Sequence, residues 1–153
     1  MAQFGSNSLD RLDTCHIDLQ IVMREVISRL PWIDEVSGIL IEDCTIIEGR
    51  RNEERQNYLF DTRKSQVEYP DSNHNAYPSD AVDSAVYHAE KPHIRWNDKD
   101  EFEAYSRLVL SVAAELGVNL RWGGDWDRDG VRVDKDPHEK FFDGPHFERL
   151  KDE

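Results

Sequence analysis

The sequence predicts an α+β fold, a small antiparallel sheet flanked by helices. Two segments repeat apolar residues at helical spacing, and the apolar residues elsewhere fall in short β-branched runs bounded by turn formers. Helix-like and strand-like segments do not alternate regularly, as a parallel βαβ fold would require. With 153 residues the chain is of the size that closes one core, so a single domain over 1–153 is expected.

The first helix is expected from Ser8 to Leu30, where Leu12, Leu19, Val22, Met23, Val26 and Leu30 share a face and Pro31 ends the pattern. Cys15 and His16 fall inside it, His16 as a surface or boundary residue rather than a ligand. From Ile33 to Ile47 short strands are expected around Ser37-Gly38, followed by a turn at Gly49 and a short helix from Asn52 to about Phe60. A polar connection leads to Asp80–Tyr87, a strand that would set Ala81, Asp83, Ala85 and Tyr87 on one face. The second long helix runs from Asp98 to Leu116. Asp98 and Glu101 have capping-box spacing, Phe102, Tyr105, Val109, Val112, Ala113 and Leu116 form the stripe, and Gly117 suits the C-terminal cap. A strand at VNLRW, a Gly-Gly turn, the acidic loop DWDRDGVRVDKD and a last strand at HFERL complete the order.

A formal net charge of −13 argues against nucleic acid and anionic membranes as partners, since both select a basic face. No apolar run approaches the roughly 20 residues that span a bilayer, and the N-terminus lacks the pattern of a secretory signal, so synthesis and initial residence in the cytoplasm are expected. Cys15 and Cys44 are expected to be buried free thiols.

The compact catalytic motifs are absent: there is no HExxH, phosphate loop, CxxC or GxSxG. Chemistry must come from dispersed residues. A hydrolytic zinc site commonly takes three His or carboxylate ligands and keeps a position for water. His74, Asp83 and a later histidine could supply that set. Downstream, Asp143 precedes His146 by three residues across a Gly-Pro turn, which would aim a carboxylate at water beside the metal. His88, His93 and His138 are the rival imidazoles and read as solvated surface.

The ordered pieces Gly49-Arg50-Arg51, Gln56, Ser72-Asn73-His74, Ala81-Val82-Asp83, Trp122-Gly123-Gly124-Asp125-Trp126 and Asp143-Gly144-Pro145-His146-Phe147-Glu148 resemble the zinc D,D-carboxypeptidase and L-alanyl-D-glutamate peptidase family, especially its compact phage endolysins. The resemblance spans about Leu9 to Leu150. It implies a hedgehog/D,D-peptidase-like fold, zinc held by His74, Asp83 and His146, and Asp143 as catalytic base and acid. It further implies that Arg51 binds substrate and stabilises the oxyanion, and that Gln56 and Ser72 contact substrate, Ser72 having capping of local backbone as its alternative. The span from His74 to Asp83 is longer than in many members, so a longer loop must return to the metal.

Asp125, Asp127, Asp129 and Gly130 reproduce the start of an EF-hand calcium loop, with Asp136 where that loop uses a bidentate Glu; a solvated acidic loop is the alternative. The expected function is hydrolysis of the L-alanyl-D-glutamate bond in the peptidoglycan stem by a monomer that acts on the wall after release from the host cytoplasm. Its rivals are a D-alanyl-D-alanine carboxypeptidase or dipeptidase, and a non-catalytic cell-wall or calcium-binding module.

Overall fold

The computed structural model describes residues 2–137, 139 and 141–151. His138 lies outside them. The first long apolar repeat is divided into two helices, α1 (Ser6–Leu12) and α2 (Ile17–Ser28), where one was expected. The break has a tertiary cause. Residues 14–16 pair with residue 79 through His16 N–H to Ser79 O (2.8 Å) and Ser79 N–H to Thr14 O (2.9 Å), so their main-chain groups leave the helical pattern. His16 is extended, and its Nδ1 accepts from Asp18 N–H as the N-cap of α2. The apolar periodicity survives the break, because Leu12, Leu19, Val22, Met23, Val26 and Leu30 are all buried.

A two-residue ladder, β1 (Trp32–Ile33) with β2 (Leu40–Ile41), closes around the turn at Gly38, whose φ of +78° suits glycine. The main sheet contains β3 (Cys44–Glu48), β4 (Ala81–Val86), β5 (Leu120–Trp122) and β6 (His146–Arg149) in the order β3-β4-β6-β5, every pair antiparallel. Between β3 and β4 come α3 (Glu53–Asp61), capped by Asn52, and a 3-10 turn at Asn73–Asn75. All six residues of β4 are buried, so both of its faces are covered. On one face the Ser84 hydroxyl meets Tyr105 Oη at 2.7 Å on helix α4 (Lys99–Glu115); by alternation Asp83 points to the other.

Helix α4 buries Phe102, Tyr105, Val109, Val112 and Ala113, but Leu116 is 43% exposed at the C-cap and lies outside the stripe. Half of the expected capping box forms. Asp98 Oδ1 accepts from Glu101 N–H (3.0 Å), while the Glu101 carboxylate turns to His88 Nε2 (2.9 and 3.0 Å). His88 and His93 are correspondingly half-buried rather than solvated: His93 stacks on Tyr87 and bonds the His88 carbonyl through Nδ1. Cys15 and Cys44 are buried free thiols, each pushed up to about 12 by burial and so held as inert SH groups. Among the described residues, no helix is long and apolar enough to cross a membrane.

Candidate metal centre

Strand register brings two of the three expected ligands together. Asp83 on β4 pairs directly with His146 on β6, so both side chains leave the same face of the sheet. A bulge in β3 between Ile46 and Glu48 sets Glu48 opposite Asp83 on the other side. His74 arrives from the 3-10 turn, whose N-cap Ser72 accepts from His74 N–H (3.1 Å) while Asn75 Oδ1 returns a bond to Ser72 N–H (3.0 Å). The long span to Asp83 is accommodated because Asp80 N–H bonds Asn73 O (3.0 Å), so the chain leaves and re-enters beside His74.

The Gly49–Arg51 backbone holds His74 from the other side. Gly49 O accepts from His74 Nδ1 (2.6 Å) and Arg51 N–H donates to His74 O (2.7 Å). Glycine is required at 49, since a Cβ there would lie 2.4 Å from Arg11 O and Thr14 Oγ1. Gly123 plays the matching part for Asp143. A Cβ at 123 would lie 2.3 Å from Asp143 O, and the close approach lets Asp143 N–H reach Gly123 O and Gly123 N–H reach His146 O, both at 2.8 Å. The Gly144-Pro145 turn is fixed by Trp122 Nε1–H to Gly144 O (2.7 Å) and Ser84 N–H to Pro145 O (2.9 Å).

His74 Nε2, Asp83 Oδ1 and His146 Nδ1 form a nearly equilateral triangle with sides of 3.2, 3.3 and 3.4 Å. All three side chains are buried. A tetrahedral ion with bonds of about 2.0–2.1 Å has ligand edges of about 3.3–3.4 Å, so these atoms have the spacing of one tetrahedral face. The outer bonds select the lone pairs. His74 donates Nδ1–H to Gly49 O, and His146 donates Nε2–H to Glu148 Oε1 (2.8 Å), which leaves the other nitrogen of each ring free to ligate. Asp83 divides its oxygens, Oδ1 to the triangle and Oδ2 to Arg51 Nη2 at 3.1 Å.

The electrostatics favour a cation at this point. Burial raises the Asp83 carboxyl, but His74 and His146 overcome it and hold the group well below the usual carboxylate range. Burial lowers the His146 imidazole, and its bonds with Asp83 and Glu148 bring it up to about 10. Glu148, raised by burial, is held at about 2 by His146 and Arg121. A field that keeps a proton on His146 so firmly also stabilises a metal ion beside it. Asp143 differs: burial and the neighbouring Asp83 charge push it up to about 6, against the opposing pull of His146, His74 and Arg51. Its Oδ2 lies 3.9 Å from His146 Nδ1, at the wall of a cavity of about 840 Å³ that also exposes the triangle.

Arg51 lines this cavity, paired with Asp83 and with Glu48 (Nε to Oε2, 2.9 Å). Ser72 both lines the cavity and caps the turn. Gln56 is fully buried behind it. Its Oε1 accepts from Arg51 Nη1 and Asn75 Nδ2, and its Nε2 donates to Ser65 Oγ (2.9 Å) and Val67 O (2.7 Å), so it holds the wall instead of facing the space. Glu148 carries no expectation from its sequence position, although it stands two residues from His146 on the same strand face. It bonds His146, Arg121 Nη2 (2.7 Å) and Asn73 Nδ2 (3.0 Å). Trp126 also lines the cavity, with its ring 5.4 Å from that of His146 and stacked on Phe141.

The four aspartates of the acidic loop do not make one group. Asp127, Asp129 and Asp136 come together, and Asp125 and Asp127 join Glu139, a residue outside the expected set. Gly130 has φ +85°, and the N–H groups of Asp129, Gly130 and Val131 turn inward onto Asp125, Asp127 and Asp129. Burial raises Asp125 and Asp127, while the Val131 N–H holds Asp129 down.

The family model of phage L-alanyl-D-glutamate peptidases matches residues 1–150. The L-alanyl-D-glutamate peptidase of Escherichia phage T5 is 31% identical over 150 residues, covering 95% of this chain and 96% of that protein. The fold is shared with the crystal structure of the L-Ala D-Glu endopeptidase ChiX of Serratia marcescens, at a TM-score of 0.69 and 24% identity over 98% of this chain and 90% of that one. On the matched length and the identity together, the chain belongs to the phage L-alanyl-D-glutamate peptidase family.

Proposed function

We propose that this protein is a zinc-dependent peptidase that cuts the bond between L-alanine and D-glutamate in the peptide stem of bacterial peptidoglycan, and that residues 1–153 form its catalytic domain. The observation that carries the reading is the triangle of His74 Nε2, Asp83 Oδ1 and His146 Nδ1, whose spacing and donor types suit zinc. Zinc, when bound, supplies a Lewis acid that polarises the scissile carbonyl and acidifies water. Asp143 takes the proton of the attacking water and delivers it to the leaving amine, a task that suits a carboxyl held near 6. Arg51 steadies the developing oxyanion, because Nη1 and Nη2 each keep a second N–H beyond their bonds to Gln56 and Asp83. Ser72 sets His74 and touches substrate at the cavity wall. Digestion of purified peptidoglycan tests the reading: new C-terminal L-alanine and N-terminal D-glutamate are expected, and release of free D-alanine instead would overturn it.

Activity is expected to fall on acidification as Asp143 gains its proton. The carboxyl sits at about 6, and a cation bound beside it lowers that value, so the acid limb of kcat/KM should have its midpoint at or below about pH 6. A midpoint near neutrality, or activity that rises as pH falls, contradicts the assignment of Asp143 as base.

Glu148→Gln is expected to weaken zinc about 10- to 100-fold in a chelator competition, since the amide orients His146 less firmly than a carboxylate. Unchanged affinity would remove Glu148 from the support of the site.

The acidic loop is read as a weak calcium site built on Asp125, Asp127, Asp129 and Asp136, with Glu139 beside them. Two overlapping carboxylate groups and the glycine turn support it. For a dissociation constant of about 0.1–1 mM, 10 mM calcium stabilises by about 1.4–2.7 kcal/mol, roughly 3–10 °C in Tm. A melting temperature that calcium leaves unchanged speaks for a solvated loop.

A further inference from the structure

A peptidase of a D-glutamyl peptide must hold a second charge besides the bond it cuts. D-Glutamate joined onward through one of its two carboxyls keeps the other ionised. The cavity is poorly suited to an anion: Asp71, Asp83, Glu139, Asp143 and Glu148 line it, and the chain as a whole carries −13. Among the described lining residues, and apart from the histidines of the triangle, the basic side chains are Arg51 and Lys64. Arg51 is already matched by Asp83 and Glu48. Lys64 makes no ion pair with a described carboxylate; its ammonium lies 5.8 Å from the Tyr58 ring centroid.

The wall that carries Lys64 is built to a fixed position. Arg63 turns the chain back at the end of α3 with φ +64°, and the N–H groups of Lys64 and Ser65 both bond Leu59 O, at 2.8 and 3.0 Å. Gln56 then ties Ser65 Oγ and Val67 O to the same buried amide that accepts from Arg51. The main chain of Lys64 is thereby tied, through one side chain, to the arginine beside the metal ligands, while its ammonium rests over the ring of Tyr58, outside the cavity lining, and has to turn from it to meet a substrate.

We propose that Lys64 determines specificity by binding the free carboxylate of the substrate's D-glutamyl residue, so that the enzyme prefers the carboxylate form over the same peptide with that carboxyl converted to a primary amide. The inference rests on the peptidase reading above. It needs no rearrangement of the ligand triangle, and it assigns Gln56 a role in holding the recognition wall.

Two synthetic stem peptides that differ only in that carboxylate or carboxamide test it with the zinc-loaded protein. The parent is expected to favour the carboxylate roughly tenfold in kcat/KM, as suits one charge-assisted contact at a solvated rim. In Lys64→Met the ratio between the two peptides should fall to within about twofold, and Lys64→Arg should restore the preference. The preference of the parent should also shrink at high salt. A ratio that is unchanged in Lys64→Met, or a parent that does not discriminate, overturns the inference and leaves the peptidase reading standing. If the parent cuts neither peptide, the peptidase reading falls and the inference falls with it.

Discussion

Replacing Asp143 by alanine is expected to lower kcat/KM by about 10²–10⁴-fold while metal content and Tm stay close to the parent's. The two parts separate because the carboxylate is not one of the three atoms of the triangle and does not hold its own loop. That loop is fixed by main-chain bonds of residues 123, 143 and 146 and by Trp122 Nε1–H to Gly144 O, none of which uses the Asp143 side chain. Asparagine at 143 keeps the size and loses the basicity, so it should be nearly as inactive; glutamate keeps the basicity and should recover part of the rate. An Asp143→Ala protein that digests peptidoglycan as fast as the parent would leave the proposed proton path without its base.

Removing a ligand should have a broader effect. His74→Ala and His146→Ala are each expected to lose stoichiometric zinc by elemental analysis, to fall to background hydrolysis, and to lose about 3–5 kcal/mol of stability at neutral pH. Each deletion leaves the buried Asp83 carboxylate without a partner on that side, and His146→Ala also strips Glu148 of its 2.8 Å bond. The sign with pH follows from the depressed carboxyls. In the parent, Glu148 at about 2 contributes stability that is present above its ordinary value of 4.5 and is lost as pH falls toward 2. In His146→Ala that contribution shrinks, so the variant should gain on the parent as the medium becomes acidic. A variant with equimolar zinc and parental activity would mean that the triangle is not the catalytic centre.

Much of this was legible in the sequence, for reasons that differ by residue. Asp83 and His146, each weak as a signal alone, stood out through the ordered motifs that resemble the peptidase family, and the strand register sets them opposite each other. Helices α2, α3 and α4 follow from periodicity and caps that act within a few residues. What acts over longer separations was not legible. The break between α1 and α2 depends on residue 79, more than 60 positions away, which no local pattern encodes. The Glu101 carboxylate leaves its capping box for His88, and the Asp98 N–H bonds Arg95 O instead. Gln56, expected to contact substrate, is instead buried, since the segment 65–67 folds over it and takes both donors of its amide. Glu148 had a readable signal, its i+2 spacing from His146. The Asp125–Asp136 loop showed its glycine and its aspartates but not Glu139, which approaches from beyond the motif.

The bond from Asp80 N–H to Asn73 O makes the chain between them a closed excursion. Ser79 is anchored to the α1–α2 junction, and Tyr77 at the tip is 79% exposed. Length added at the tip therefore costs only the slow logarithmic entropy of a larger loop, while His74, inside the excursion, keeps its own ties to Gly49 O and Arg51 N–H. The segment 76–78 is a natural graft point. A short wall-targeting peptide inserted there would sit on the rim of the protein with its ends already stapled, and the catalytic centre would be unaware of its cargo.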